Sequence, residues 1–96
     1  MSYTTRILLD TFKPLASFGG SVYTIYISIG DVEQNGVIHT RKALYVKVDF
    51  VEKLYDKVFK GHDMVRKASN WLTEITQREW TELGYEHLEA CVKQTQ

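Results

Sequence analysis

Three side chains that can bind an anion stand close together in the first half of the chain: His39, Arg41 and Lys42. They follow the dipeptide Asn35-Gly36 and precede a run, residues 43–48, in which apolar and polar side chains alternate. Arginine and lysine donate charge-assisted hydrogen bonds to phosphates and carboxylates, and a protonated histidine can do the same. The cluster is therefore either an anion-binding site or the solvated end of a β-hairpin.

The charge of the chain argues against nucleic acid as the anion. The sequence contains 12 basic and 12 acidic residues, whereas most nucleic-acid-binding proteins carry a basic excess. Residues 1–48 hold five basic and three acidic side chains, and residues 71–96 hold two basic and five acidic ones. Since the acidic tail would repel a polyanion, we expect the cluster to face a protein or solvent.

Two other pairs have spacings that suit a metal site or catalysis. His87 and Cys91 stand four residues apart, so on a helix they could share a metal ion or act as base and thiol. A zinc site would need His39 and His62 as well, from other elements, and cysteine is often buried for structural reasons. Asp63, next to His62, suits a helix N-cap. We predict no metal, no cofactor and no catalytic residue, and thus not an enzyme.

Two surfaces are candidates for binding a partner. The first lies on the outward face of the predicted hairpin and combines aromatic and guanidinium groups, which are enriched in binding hot spots, with a lysine. Its members are Tyr26, Arg41, Tyr45 and Lys47. The second is an acidic row along the last predicted helix, formed by Glu79, Glu82, Glu86 and Glu89, which would attract a basic partner. Each set also has a plain structural interpretation, as a cross-strand pair or as a solvated helix face.

The hairpin that positions the first surface is the clearest element of the sequence. Apolar side chains at every second position of residues 21–29 predict a strand, and another short strand is predicted at residues 4–12. A type I′ turn at Asn35-Gly36 requires paired residue numbers that sum to 71. This register pairs Ile27 with Leu44 and Ile25 with Val46 on the buried face. On the outward face it pairs Tyr26 with Tyr45 and Thr24 with Lys47. Lys42 is predicted to lie opposite Ile29, at the end of the apolar face.

Helical spacing of apolar residues follows the hairpin. Asp49 and Glu52 resemble a capping box, and the spacing predicts a helix over residues 49–60 that Gly61 would end. A second helix is predicted after Asp63, and a third from Thr76 to residue 92. The alternative is one long second helix up to Gly84, with residues 85–93 as a fourth strand.

These elements predict an α+β fold: an antiparallel three-stranded β-meander, with a possible fourth strand at 85–93, and two to three C-terminal amphipathic helices packed on one face. The 96 residues suit one domain, 1–96, with a sheet region at 1–48 and a helical region at 49–96. No stretch reaches the roughly 18 apolar residues of a membrane span, and the single cysteine suits a reducing compartment. We therefore expect a cytoplasmic protein that does not bind membranes.

The predicted function is that of a small, non-enzymatic protein-interaction module. In architecture the chain resembles the single-domain inhibitor proteins that phages and mobile elements use against host proteins, and the resemblance implies an inhibitor or viral accessory protein. The expected partner is another protein, one with a basic surface if the acidic row is the interface, or a second copy of the chain held by the uncovered sheet face or an edge strand. The alternative is a single-stranded nucleic-acid-binding protein that uses the basic and tyrosine face of the hairpin.

Overall fold

Antiparallel strands and two helices build the α+β fold seen in the computed structural model, which describes residues 5–19, 22–76 and 82–95. Within these ranges the side chains of 41, 82–85, 87, 94 and 95 are not described. The elements are β1 (Thr5–Gly19), β2 (Tyr23–Gln34), β3 (Val37–Phe50), β4 (Leu54–Lys60), α1 (Met64–Thr76) and α2 (Glu82–Thr95). The strands lie in the order β1-β2-β3-β4, so each strand pairs with its neighbour in sequence. β1 pairs in two segments, and the sheet has five strands if these are counted separately.

The turn between β2 and β3 confirms the predicted hairpin. Asn35 and Gly36 both have positive φ, 54° and 80°, as a type I′ turn requires. Next to the turn, Gln34 pairs with Val37 and Val32 with His39, so the residue numbers sum to 71.

Beyond this end of the hairpin the predicted register is wrong by two residues. Three residues of β3, 40–42, face the single residue Asp31 of β2, and the pairing then continues with Gly30 opposite Ala43. Tyr26 therefore pairs with Lys47, and Lys42 lies in the bulge instead of opposite Ile29. Because side chains in a strand alternate with a period of two, an even shift changes the partners but keeps the faces.

β1 also bulges opposite the same point of β2. Four residues of β1, 9–12, stand against Gly30 alone, and a further irregularity follows Pro14. The hydroxyl of Thr11 accepts a hydrogen bond from the backbone N–H of Asp31 at 2.8 Å and donates one to the carbonyl of Leu8 at 2.7 Å. The Thr11 side chain thus replaces the strand-to-strand bond that the bulge removes.

The predicted helix over residues 49–60 is wrong, because residues 49 and 50 end β3 and residues 54–60 form β4. The backbone N–H of Phe50 donates to the carbonyl of Lys53 at 2.7 Å, so the supposed capping box is a turn between strands. β4 then pairs with β3 from Leu54 to Lys60. Its β-branched and aromatic side chains fit a strand, and pairing satisfies backbone groups of β3 that would otherwise remain open. The sheet region accordingly extends to Lys60, past the predicted limit at residue 48.

The predicted second helix is confirmed as α1. Its first hydrogen bond runs from the N–H of Lys67 to the carbonyl of Asp63, so Asp63 holds the N-cap position. α2 covers residues 85–93, and the alternative strand there is therefore wrong. The predicted start of this helix at Thr76 is wrong, because Thr76 is the last residue of α1. Glu79 lies outside the described residues.

Both helices pack on one face of the sheet, here called the inner face. α1 contacts β3 and β4, and α2 contacts α1 and β1. The buried core comprises Ile25, Ile27 and Ile29 of β2, Leu44, Val46 and Val48 of β3, Phe59 of β4, and Met64, Val65, Ala68, Leu72, Leu88 and Val92 of the helices. Among the described residues, neither helix combines the length and the apolar content needed to cross a membrane.

Candidate functional site

The outer face of the sheet is the side opposite the helices. Since Ile25, Ile27, Leu44 and Val46 are buried on the inner face, alternation directs the residues between them outward. Register then places these outer side chains in rows across the strands. Tyr26, Lys47 and Asp56 form one row, and Ser28, Tyr45 and Val58 form the next. We call these two rows the outer patch.

Tyr26 is the most accessible aromatic side chain of the outer patch. Its side chain is 44% exposed, although it stands in a central strand. The Nζ of Lys47 lies 5.9 Å from the centre of its ring, within the range of a cation–π contact. A cavity of about 490 Å³ adjoins this pair, with Pro14 and Ser17 of β1 on its other side. A ring, a cation and a shallow groove are thus brought together on an open surface.

Tyr45 is more constrained than Tyr26. Its hydroxyl donates a hydrogen bond to a carboxylate oxygen of Asp56 at 2.6 Å. The ring of Phe12 meets its ring edge to face, with 6.2 Å between the centroids. The hydrogen bond to Asp56 raises the pKa of Tyr45, and partial burial and the negative charge of Asp56 act in the same direction. Tyr45 therefore serves to hold the outer patch together.

The ring of Phe12 lies directly over Gly30, and from this position it contacts the ring of Tyr45. A Cβ added at Gly30 would come within 2.5 Å of the Cγ atom of Phe12, well inside van der Waals contact. Only glycine leaves room for the ring at this point of β2. Neither Phe12 nor Asp56 is among the site residues predicted from the sequence. The isolated glycine in a strand pattern was the one signal that could have indicated a close approach there.

The structure brings together three of the four residues predicted for the hairpin surface. Tyr26, Tyr45 and Lys47 share the outer patch, but the predicted direct pair of Tyr26 with Tyr45 is wrong, since Ser28 stands opposite Tyr45. Arg41 lies in the β3 bulge, and its side chain is outside the described residues.

The predicted acidic row is only partly visible. Glu86 is exposed, whereas Glu89 forms an ion pair with Lys93 at 3.1 Å, one helical turn away. Glu79 and the side chain of Glu82 lie outside the described residues. Lys93 therefore offsets the charge of Glu89 at this end of the row.

The residues considered for a metal site do not form one in the described part of the chain. Cys91 is half-buried in α2 next to the buried Val92, and the side chain of His87 is outside the described residues. No group of three or more possible metal-ligating side chains is present among the residues that are described.

Two residues of the basic cluster near the turn, His39 and Lys42, line a cavity that the sequence did not predict. His39 and Lys42 line a cavity of about 410 Å³ together with Lys60, at the point where β4 ends. This cavity lies beyond the outer patch, toward the Asn35-Gly36 turn.

Comparison with known proteins adds no functional assignment to the outer patch or to this cavity: no family model, curated protein sequence or solved structure matches the chain.

Proposed function

We propose that this chain is a small, non-enzymatic interaction module that binds another protein through the outer patch. The observation that carries the proposal is the exposed Tyr26 ring with Lys47 beside it, in the middle of a sheet face that the described helices leave open. Tyrosine contributes a large, rigid contact area at a low cost in side-chain entropy, and it is enriched in binding hot spots.

The chemistry of the patch indicates what the partner must present. The groove beside Tyr26 is lined by Pro14, Ala16, Ser17 and Ser28, and among the described lining residues only Lys47 is charged. A partner that places an apolar side chain in the groove and a carboxylate near Lys47 would satisfy both features. An inhibitor that blocks a partner's surface is the form of this function that the small size of the domain favours.

The support for a protein partner exceeds that for single-stranded nucleic acid. Base stacking on a sheet needs open aromatic faces and a positive surface. In the outer patch Tyr45 is engaged by Phe12 and by Asp56, which leaves Tyr26 as the exposed ring. Asp56 also balances the charge of Lys47 in the same row, whereas a phosphate backbone requires a positive surface.

Affinity capture with a matched set of variants tests the proposal. The wild-type chain, the double variant Tyr26→Ala with Lys47→Ala, and the control Lys53→Ala are immobilised and exposed to a lysate, with and without nuclease. Lys53 suits the control because its Nζ stands 5.8 Å from the ring centre of Tyr55, a similar contact outside the outer patch. Captured proteins are quantified by mass spectrometry.

We expect proteins that bind the wild type and the Lys53→Ala control equally and that bind the double variant at least tenfold less. Circular dichroism should show that all three chains are folded. Equal capture by the double variant would contradict the proposed surface. Capture that nuclease abolishes would favour the nucleic-acid alternative instead.

A further inference from the structure

A second place on the molecule, separate from the outer patch, is suited to a small anion. The cavity at the end of β4 is lined by Thr5, Val32, Gln34, His39, Lys42, Lys60 and Gly61. Its volume of about 410 Å³ lies within the range of small-molecule sites. We infer that this cavity binds a small organic anion that carries a phosphate or carboxylate group.

The strand register explains how the basic residues meet there. His39 pairs with Val32 on one side of the β3 bulge, and Lys42 is the last residue of the bulge on the other side. Ala43, which follows Lys42, pairs with Lys60 at the end of β4. The bulge and the end of the fourth strand thus bring together cationic groups that lie about 20 residues apart in sequence.

The charge of the lining is one-sided. Of the seven described residues that line it, three can carry a positive charge and none is acidic. Neither Lys42 nor Lys60 takes part in an ion pair among the described residues, whereas Arg6 nearby is paired with Glu33 at 3.9 Å. Like charges that share a cavity repel one another, and a bound anion removes this repulsion. The neighbouring groove between β4 and α1 also contains lysines, but Glu74 lines it as well.

The remaining lining residues indicate the rest of the ligand. Val32 is only 5% exposed and provides an apolar floor, while Thr5 and Gln34 supply hydrogen-bonding groups at the rim. A ligand with an apolar body and one oxyanion would use both parts of the cavity. A fully hydrated inorganic ion would use only the charge.

Titration of the ¹⁵N-labelled protein with phenyl phosphate, benzoate, inorganic phosphate and phenol, followed by NMR, tests the inference. The amide signals of Val32, Gln34 and Gly61 should shift, and phenyl phosphate or benzoate should bind more tightly than inorganic phosphate or phenol. The two aromatic anions separate a phosphate ligand from a carboxylate ligand.

The variants Lys42→Gln and Lys60→Gln should each weaken binding about tenfold, and Lys53→Gln, a lysine outside this cavity, should not change it. Absence of saturable shifts for both aromatic anions would overturn the inference, as would equal weakening by Lys53→Gln. The result does not depend on the proposed function, because neither Tyr26 nor Lys47 lines this cavity.

Discussion

Replacing Gly30 with alanine should destabilise the protein by about 2 kcal/mol. At an unstrained site the same change would stabilise it by about 0.4–1 kcal/mol, through the entropy of the unfolded chain. Here the new methyl group would overlap the ring of Phe12, 2.5 Å from Cγ and 2.7 Å from Cε1. Such overpacking costs about 1–3 kcal/mol. A displaced Phe12 would also lose its edge-to-face contact with Tyr45, worth about 0.5–1.5 kcal/mol.

Urea denaturation and thermal unfolding, monitored by circular dichroism, measure this effect. For a domain of this size a loss of 2 kcal/mol corresponds to a decrease in Tm of roughly 8–16 °C. Gly19→Ala is the matched control, because a Cβ at Gly19 meets nothing within 4 Å, and this change should stabilise the protein by about 0.4–1 kcal/mol.

The variant Phe12→Ala separates the clash from other causes. Once the ring is absent, the addition of Gly30→Ala should cost no further stability, so the two changes should be strongly non-additive. If Gly30→Ala is as stable as the wild type, or if it costs the same with and without the Phe12 ring, the packing argument is wrong.

Four further substitutions test other parts of the fold. Gly36→Ala should cost about 1–2 kcal/mol in urea denaturation, since alanine resists the φ of 80° at this position. Leu72→Ala, at a fully buried site, should cost about 2–5 kcal/mol, whereas Leu54→Ala, 58% exposed, should cost less than about 0.5 kcal/mol. Asp56→Asn should lower the pKa of Tyr45, as measured by ultraviolet titration, because the hydrogen bond to the Asp56 carboxylate raises it. In the wild type, the stability linked to this raised pKa is fully present below the pKa of Tyr45 in the unfolded chain. It is lost as the pH rises through the pKa of Tyr45 in the folded protein.

The hairpin could be predicted from the sequence because its signals are local. The alternating apolar side chains of β2 and the positive-φ pair Asn35-Gly36 both act within a few residues. The bulges are different, since the one in β1 depends on a hydrogen bond between Thr11 and Asp31, 20 residues apart. Nothing near either residue in sequence specifies that contact. The predicted faces were right because the resulting shift in β3 was even.

The helix predicted in place of β4 shows the limit of periodicity. Apolar residues at positions 54, 55, 58 and 59 fit a helix, but they also place Tyr55 and Phe59 on one face of a strand and Val58 on the other. Pairing with the open edge of β3, a tertiary interaction, favours the strand over the helix for this segment. Asp56 and Lys60 belong to β4, so the wrong helix prediction also affected the candidate sites. Without the fourth strand, neither the hydrogen bond of Asp56 with Tyr45 nor the place of Lys60 in the cavity at the end of β4 could be predicted.

The even register shift at the β3 bulge, where three residues face one, bears on how this protein can change during evolution. A deletion of two residues among 40–42 would leave every later side chain of β3 on its present face, and a further insertion of two would do the same. A single-residue deletion there would exchange the faces on one side of the bulge and expose the core. Related chains are therefore expected to vary the β3 bulge in steps of two residues, and with it the cavity at the end of β4, while the outer patch and the core keep their faces.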